Sequence, residues 1–334
     1  MIMSSRHQHP RTLSIGGATY DLFLTIDPEH GTSEDIILHG GDKIPVRSVI
    51  EACGGGACNT AVGLQRLGCE AHFCGVIGSD QWGERLLEAM HREGVGTESV
   101  TIVEGETSSF SIIINLPNGE RCILATSGAN QHLHDTTFDL HAVSTMDALY
   151  INHLCETSCM IQNDLIEVLR QHPSIFVTWN PGGIQIHRGV DDVENHALVE
   201  RSNLLLLNKE EALAFTKASS VDASLALLRS IGAEHVCITD GKHGVLGSSR
   251  SGTIRCSALP SATIVDTTGA GDAFGSATTA MLLQGLPLRD AMIAGTLNAS
   301  SVLGTIGAED GLLTFDELKT AITTHSPTLV ITSC

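Results

Sequence analysis

The stretch "IVDTTGAGDAFGSA", from Ile264 to Ala277, sets a carboxylate, Asp272, directly behind three small residues, Gly269, Ala270 and Gly271. "SATIVD" before it reads as a strand and "GDAFGSATTAMLLQG" as a helix, so the small residues fall at a helix N-terminus. Unpaired N–H groups there, with the helix dipole behind them, make an anion site that a phosphate can approach closely over minimal side chains. A carboxylate repels phosphate. Its chemical use at this place is to take the proton of an alcohol attacking a phosphoryl group, and the helix dipole is expected to keep it ionised for that task. The competing reading is an Asp that only caps the helix. Gly269, Gly271 and Gly275 also make G-x-G-x-x-x-G, a relative of the dinucleotide fingerprint. It lies late in the chain, and no acid at a strand end follows roughly 20 residues on, as ribose binding asks. No G-x-x-x-x-G-K-[ST] occurs, which excludes a P-loop kinase, and protein-kinase loop motifs are absent.

The elements that must position these residues alternate along the chain. Aliphatic runs "TLSIGGA", "AHFCGVIG", "DALYIN", "IFVTWN", "NLLLLN" and "HVCITDG" read as strands, several with no polar face, as strands covered on both sides should be. Between them, 57–67, 83–93, 161–171, 209–217, 222–231, 271–284 and 288–303 read as helices. In the second, Leu86, Leu87 and Met90 form one apolar stripe and Gly94 suits the C-terminal end. This predicts an α/β fold with a mostly parallel sheet. Two segments break the alternation. Residues 107–126, "TSSFSIIINLPNGERCILAT", read as a hairpin about a Pro-Asn-Gly turn, and 24–52 is strand-like and polar. They form either a small β lid over the C-terminal edge of the sheet, where open α/β folds bind ligands, or two peripheral hairpins. One domain over 12–325 is expected, with a disordered tail at 1–11 and a C-terminal tail at 326–334.

With 334 residues the chain can bury a sizeable core. Its 19 Lys plus Arg against 38 Asp plus Glu give a net charge of −19, which disfavours nucleic acid and anionic membranes as partners. Ten scattered cysteines without a CxxC pair suit buried thiols in a reducing compartment. "MIMSSRHQHPR" carries no apolar signal segment and no apolar run reaches ~18 residues, so a cytoplasmic location is expected. The 16 His form no HExxH, and His7 and His9 fall in the expected tail.

"DTTGAGDAFGSA" resembles the C-terminal signature of the PfkB family, the ribokinase-like sugar and nucleoside kinases. "GGGACNTAVGLQRLG" (54–68), followed by "GVIGSDQWGERLLEAMHREGV", is similar to its N-terminal signature. "TSSFSIIINLPNGER" with "SGAN" resembles its lid strand and following turn, "LLLLNKEEA" its N-x-x-E, and "ITDGKHGV" its nucleotide-side segment. These stretches occur in family order over about residues 13–320. The resemblance implies a ribokinase-like three-layer αβα sandwich with a β lid, phosphorylating a hydroxymethyl group from ATP.

Carried over by position, Asp272 is the general base, and the N–H groups of Gly269, Ala270, Gly271 and Asp272 form the anion hole. Asn208 and Glu211 organise Mg²⁺ near the phosphates; by spacing alone they also suit a helix cap and a first-turn Glu. Asp266 and Thr268, with the backbone of the 304–311 loop, match the place where many relatives bind a monovalent cation such as K⁺. Thr239, Gly241, Gly244 and Asn298 fall on the nucleotide side. For the acceptor, Asp21 in "GGATYD" matches the substrate-binding Asp, though a plain strand-end Asp competes. Gly54, Gly55 and Asn59 match the residues lining the sugar site, and Glu156 lies near the place of a sugar-binding Glu. The chain departs from the ribokinase G-G-K-G-A-N at Gly56, Ala57 and Cys58, and Thr19 stands in place of the usual Asn, which argues against assuming ribose. A sugar is preferred as acceptor. A nucleoside stacked on Tyr20 is the alternative, and Lys43 and Arg47 are candidates for holding a substrate phosphate or simply exposed lid residues. Relatives often dimerise through the lid strands, so a homodimer is compatible. A non-catalytic ligand-binding module would be marked by loss of Asp272 or its glycines, all of which are present. A nicotinamide oxidoreductase ranks below it.

Overall fold

Leu-rich strands without a polar face need cover on both sides, and the chain supplies helices to each. The computed structural model describes residues 9–27, 36–115, 121–134, 140–154, 160–260 and 264–333. Its strands are β1 (Arg11–Ile15), β2 (Thr19–Ile26), β3 (Val46–Gly54), β4 (Glu70–Cys74), β5 (Val76–Gly78), β6 (Thr101–Val103), β7 (Phe110–Asn115), β8 (Arg121–Thr126), β9 (Ala148–Ile151), β10 (Phe176–Trp179), β11 (Leu204–Asn208), β12 (His235–Thr239), β13 (Val245–Ser249), β14 (Gly252–Cys256) and β15 (Ile331–Ser333). Its helices are α1 (Gly56–Arg66), α2 (Gln81–Arg92), α3 (Leu140–Ser144), α4 (Met160–Gln171), α5 (Gly183–Arg188), α6 (Val193–Arg201), α7 (Lys209–Thr216), α8 (Val221–Ile231), α9 (Ala270–Leu283), α10 (Leu288–Val302) and α11 (Phe315–His325).

Nine strands form the main sheet in the order β15-β14-β13-β12-β11-β10-β9-β1-β4. Pairing is parallel from β4 through to β12 and antiparallel from there to β15. Alternate residues of one strand go to opposite cores, as the period of two requires. Leu205 and Leu207 pack with α4, α6, α7 and α8 through residues such as Leu165, Leu198, Phe215 and Leu228. Leu204 and Leu206 pack with α9, α10 and α11 through Phe274, Met281, Met292 and Leu318. The result is the expected three-layer αβα sandwich.

Because β1 lies between β4 and β9, the chain reverses its direction of travel across the sheet at the C-terminal end of β1. Open α/β folds bind ligands at such a switch point. Over this edge stands a four-stranded sheet, β3-β2-β7-β8, with β2 and β7 parallel and the other pairs antiparallel. The segments expected as a lid thus come together, although the sheet begins earlier than expected, at Thr19. The Pro-Asn-Gly turn lies outside the described residues.

Three local expectations are corrected. Residues 264–266 are not a strand; Ile264 and Val265 are exposed, having no neighbouring strand to pair with. "AHFCGVIG" is split at Gly75 between the main sheet and a separate β5-β6 pair. The two tails are also shorter than expected. Arg11 opens β1, Pro10 accepts a backbone hydrogen bond from Glu70, and residues 1–8 lie outside the described residues. At the other end β15 pairs with β14 and buries Leu329, since an apolar "LVI" run gains by covering the sheet's edge. Cys58, Cys69, Cys237 and Cys256 are buried thiols, as expected. Among the described residues, no helix is long and apolar enough to cross a membrane and no cluster of His, Cys, Asp and Glu could hold a metal ion.

Candidate active site

Helix α9 starts as the sequence predicts. Gly269 is its N-cap at φ 74°, a left-handed conformation that glycine adopts without strain, and a side chain there would overlap Ala308. The first-turn N–H groups of Gly271 and Asp272 have no carbonyl one turn behind them within the helix. A methyl group on Gly271 would meet nothing within 4 Å, so the backbone there borders open space.

Asp272 lines a cavity of about 460 Å³ at the switch point. Its Oδ2 accepts a 2.7 Å hydrogen bond from Asn59 Nδ2, reaching it across 213 residues of sequence from the first turn of α1. Gly55 precedes that helix at φ 91°, and a side chain there would collide with the Gly17 carbonyl. Burial pushes Asp272 up to about 6, and the Asn59 hydrogen bond opposes this without reversing it. Desolvation thus works against the ionised form that the helix N-terminus is expected to favour, and at about 6 the group is still mostly ionised at neutral pH.

The same cavity is lined by small polar side chains, Thr19 and Ser111 on strands of the four-stranded sheet and Ser109 just before β7, together with Asn130, Asn152 and Asn180. Asp21 shares the face of Thr19 by strand alternation and is nearly buried. Burial pushes it up to about 6, a hydrogen bond with Ser111 lowers it, and the nearby Asp266 charge adds to the rise. A side chain at Gly54 would press on the Asp21 carboxylate, so this glycine makes room for it. Of the residues predicted for the acceptor, Gly55 lines this cavity, whereas Gly54, Asp21 and Asn59 do not; Asn59 reaches it only through its hydrogen bond to Asp272. Glu156 lies outside the described residues. Tyr20, by the same alternation, faces away: its ring stacks on Trp82 at 5.1 Å and its hydroxyl donates to Glu51 at 2.7 Å. The expected nucleobase stacking on Tyr20 is thereby withdrawn. Arg47 is ion-paired with Asp27, and Lys43 is exposed.

A second, smaller cavity of about 230 Å³ lies on the other side of the α9 N-terminus, lined by Thr239, Gly241, Gly244, Ala258, Ala270 and Gly271, with Phe274 and Leu303 among its apolar walls. Three of the residues expected on the nucleotide side thus meet here. The fourth does not. Asn298 is wholly buried, its Nδ2 donating to Ala273 O and its Oδ1 accepting from Leu313 N, so it braces α9 from behind and reaches no cavity.

Asn208 and Glu211 close a capping box at the start of α7, each side chain bonding the other's backbone N–H at 2.8 Å. The cap reading is thus realised, and Glu211 also lines the larger cavity, where burial raises its carboxyl. A carboxylate facing a polar cavity suits a hard cation such as Mg²⁺; the Asn208 oxygen is already engaged by the cap. Asp266 is more completely occupied. Its Oδ1 accepts from Thr268 N, Thr268 Oγ1 and Arg121 Nη1, and its Oδ2 from Gly307 N. Burial pushes Asp266 up, but these donors together hold it below the usual carboxylate range.

Residues 18–314 match the pfkB family of carbohydrate kinases. The chain belongs to this family. Among relatives of this pfkB protein, an uncharacterized sugar kinase of Archaeoglobus fulgidus is 28% identical over 255 residues, 75% of this chain and 98% of that one. The ribokinase of Bacillus subtilis is 25% identical over 305 residues, 91% of this chain and 97% of that one. Among solved structures, the ribokinase of Arabidopsis thaliana complexed with ribose and ATP superposes with a TM-score of 0.80 at 20% identity, covering 94% of this pfkB chain and 99% of that one.

Residues beyond the predicted set also line the larger cavity. Ser109 and Ser111 alternate along "TSSFS" as Thr19 and Asp21 do along "TYD", a period-two signal readable in the sequence. Asn152 and Asn180 directly follow β9 and β10, whose apolar runs each end in Asn.

Proposed function

We propose that the protein transfers the γ-phosphoryl group of ATP to a hydroxymethyl group of a small sugar. The observation that carries this reading is the shared helix N-terminus: Asp272 opens on the polar cavity, while Ala270 and Gly271, two residues and one residue before it, open on the apolar one. An acceptor alcohol in the first and an adenine nucleotide in the second would meet over the α9 N–H groups. Asp272 then takes the hydroxyl proton, the acceptor oxygen forms its bond to the γ-phosphorus, and the bond to the β-phosphate oxygen breaks, its electron pair leaving on ADP. The N–H groups of 269–272 hold the charge on the transferred group. Glu211 would hold Mg²⁺ through its waters, and the ion's charge would offset that of the phosphates. The four-stranded sheet serves as a lid that excludes water, so that transfer to the acceptor outruns hydrolysis.

Sugar is favoured over nucleoside because, among the described residues, no Phe, Tyr or Trp lines the larger cavity, whereas Thr19, Ser109, Ser111, Asn130 and Asn152 present hydroxyl and amide groups. The test is ADP release with ATP and Mg²⁺ over a panel of pentoses, hexoses, hexose phosphates and nucleosides. Acceptor-dependent turnover is expected, with a fall of about 10² or more in kcat for Asp272→Asn and ATP binding retained. Normal turnover in that variant would remove Asp272 from the role of base.

A further inference from the structure

A nearly buried carboxylate needs a positive partner, and Asp266 has one from an unexpected element. Arg121 opens β8, at the edge of the four-stranded sheet. Its Nη1 donates to Asp266 Oδ1 at 2.6 Å and its Nη2 to Thr267 Oγ1 at 3.1 Å. The same carboxylate receives Thr268 N at 3.1 Å and Thr268 Oγ1 at 2.9 Å on Oδ1, and Gly307 N at 3.1 Å on Oδ2. Both oxygens are engaged by protein donors. A monovalent cation placed here would need Asp266 as its anionic ligand and would meet the guanidinium first. The residues present do not fit that ion.

We infer that Arg121 takes the place of the monovalent cation and is a positioning residue for the start of α9, so that this kinase works without K⁺. Three physical points support this. A guanidinium is permanently charged and its fork can meet two acceptors at once, here Asp266 and Thr267. The segment it grips, Asp266–Thr268, runs directly into the Gly269 N-cap, and Gly307 on the other carboxylate oxygen neighbours Ala308, which packs against Gly269. The strand that carries it also borders the acceptor cavity through Ala125 and Thr126, so seating that sheet and ordering the helix N-terminus become one event. A free ion would neutralise Asp266 but could not report the position of the sheet.

The inference rests on the kinase reading, and its test is chosen so that the two can fail separately. Cation binding to the nucleotide-free protein is measured by titration calorimetry with KCl against choline chloride at equal ionic strength, which keeps screening constant. Turnover is measured in the same two salts. The wild type is expected to show no K⁺-specific heat and equal turnover in both. Arg121→Ala is expected to lose turnover about tenfold or more in choline, the size of a lost charge-assisted hydrogen bond, and to regain it with K⁺ while acquiring a K⁺-binding signal. Arg121→Lys, which keeps a charge, should stay cation-independent. Specific K⁺ binding by the wild type would overturn the inference. So would an Arg121→Ala protein whose acceptor KM rises with no response to K⁺, because that would put Arg121 on the substrate. If no acceptor supports turnover, the kinase reading fails, and the calorimetry still decides whether Arg121 excludes the ion.

Discussion

Asp272 lines the larger cavity and Asp21 lies in the sheet beside it, and burial pushes both up to about 6. A general base works only when ionised. Since a raised value means that protonation begins at higher pH, kcat/KM should fall about tenfold per pH unit as pH drops below about 6, and stay flat above it. Asp21 titrates in the same range, so the wild-type profile alone does not assign the limb. Asn59 does. Its amide donates to Asp272 and favours the charged form, so Asn59→Ala should move the acid limb upward by about one pH unit. An unmoved limb would show that another carboxyl governs it.

At the scale of elements, α9 sits where it does because small residues let it approach its neighbours. Gly275 faces β9, and a methyl group there would overlap the hydroxyl of the wholly buried Tyr150. Alanine favours a helix over glycine by about 1 kcal/mol, but overpacking a rigid aromatic costs about 1–3 kcal/mol. Gly275→Ala should therefore lower stability in denaturant unfolding; a more stable variant would show that the contact yields. The helices themselves were legible because apolar spacing and capping residues are local, and α1, α2, α4, α7, α8, α9 and α10 lie within two residues of their expected ends. Helices α3, α5, α6 and α11 were missed. The first three are short, whereas α11 carries both a Thr314–Glu317 capping box and an apolar stripe of Phe315, Leu318, Ala321 and Ile322 that could have been read.

For the molecule as a whole, the last residues belong to the core although they read as a tail. β15 completes the nine-stranded sheet, and Leu329 packs among the residues under α10 and α11. Truncation after Thr328 should cost on the order of 2 kcal/mol from Leu329 alone, and expose the β14 edge. The denaturation midpoint measures this, and an unchanged midpoint would show that the strand contributes nothing. The sequence by itself determined the α/β class, the start of α9 just ahead of Asp272, and the apolar strands ending in Asn, because each depends on periodicity or spacing within a dozen residues. Tertiary structure alone decided which distant side chains meet. It joined Asn59 to Asp272 and Arg121 to Asp266, turned Tyr20 away from the site, and enclosed Asn298 behind α9. The physical reason is that strand register and helix packing fix these encounters, and both are set by contacts between segments that no local pattern relates.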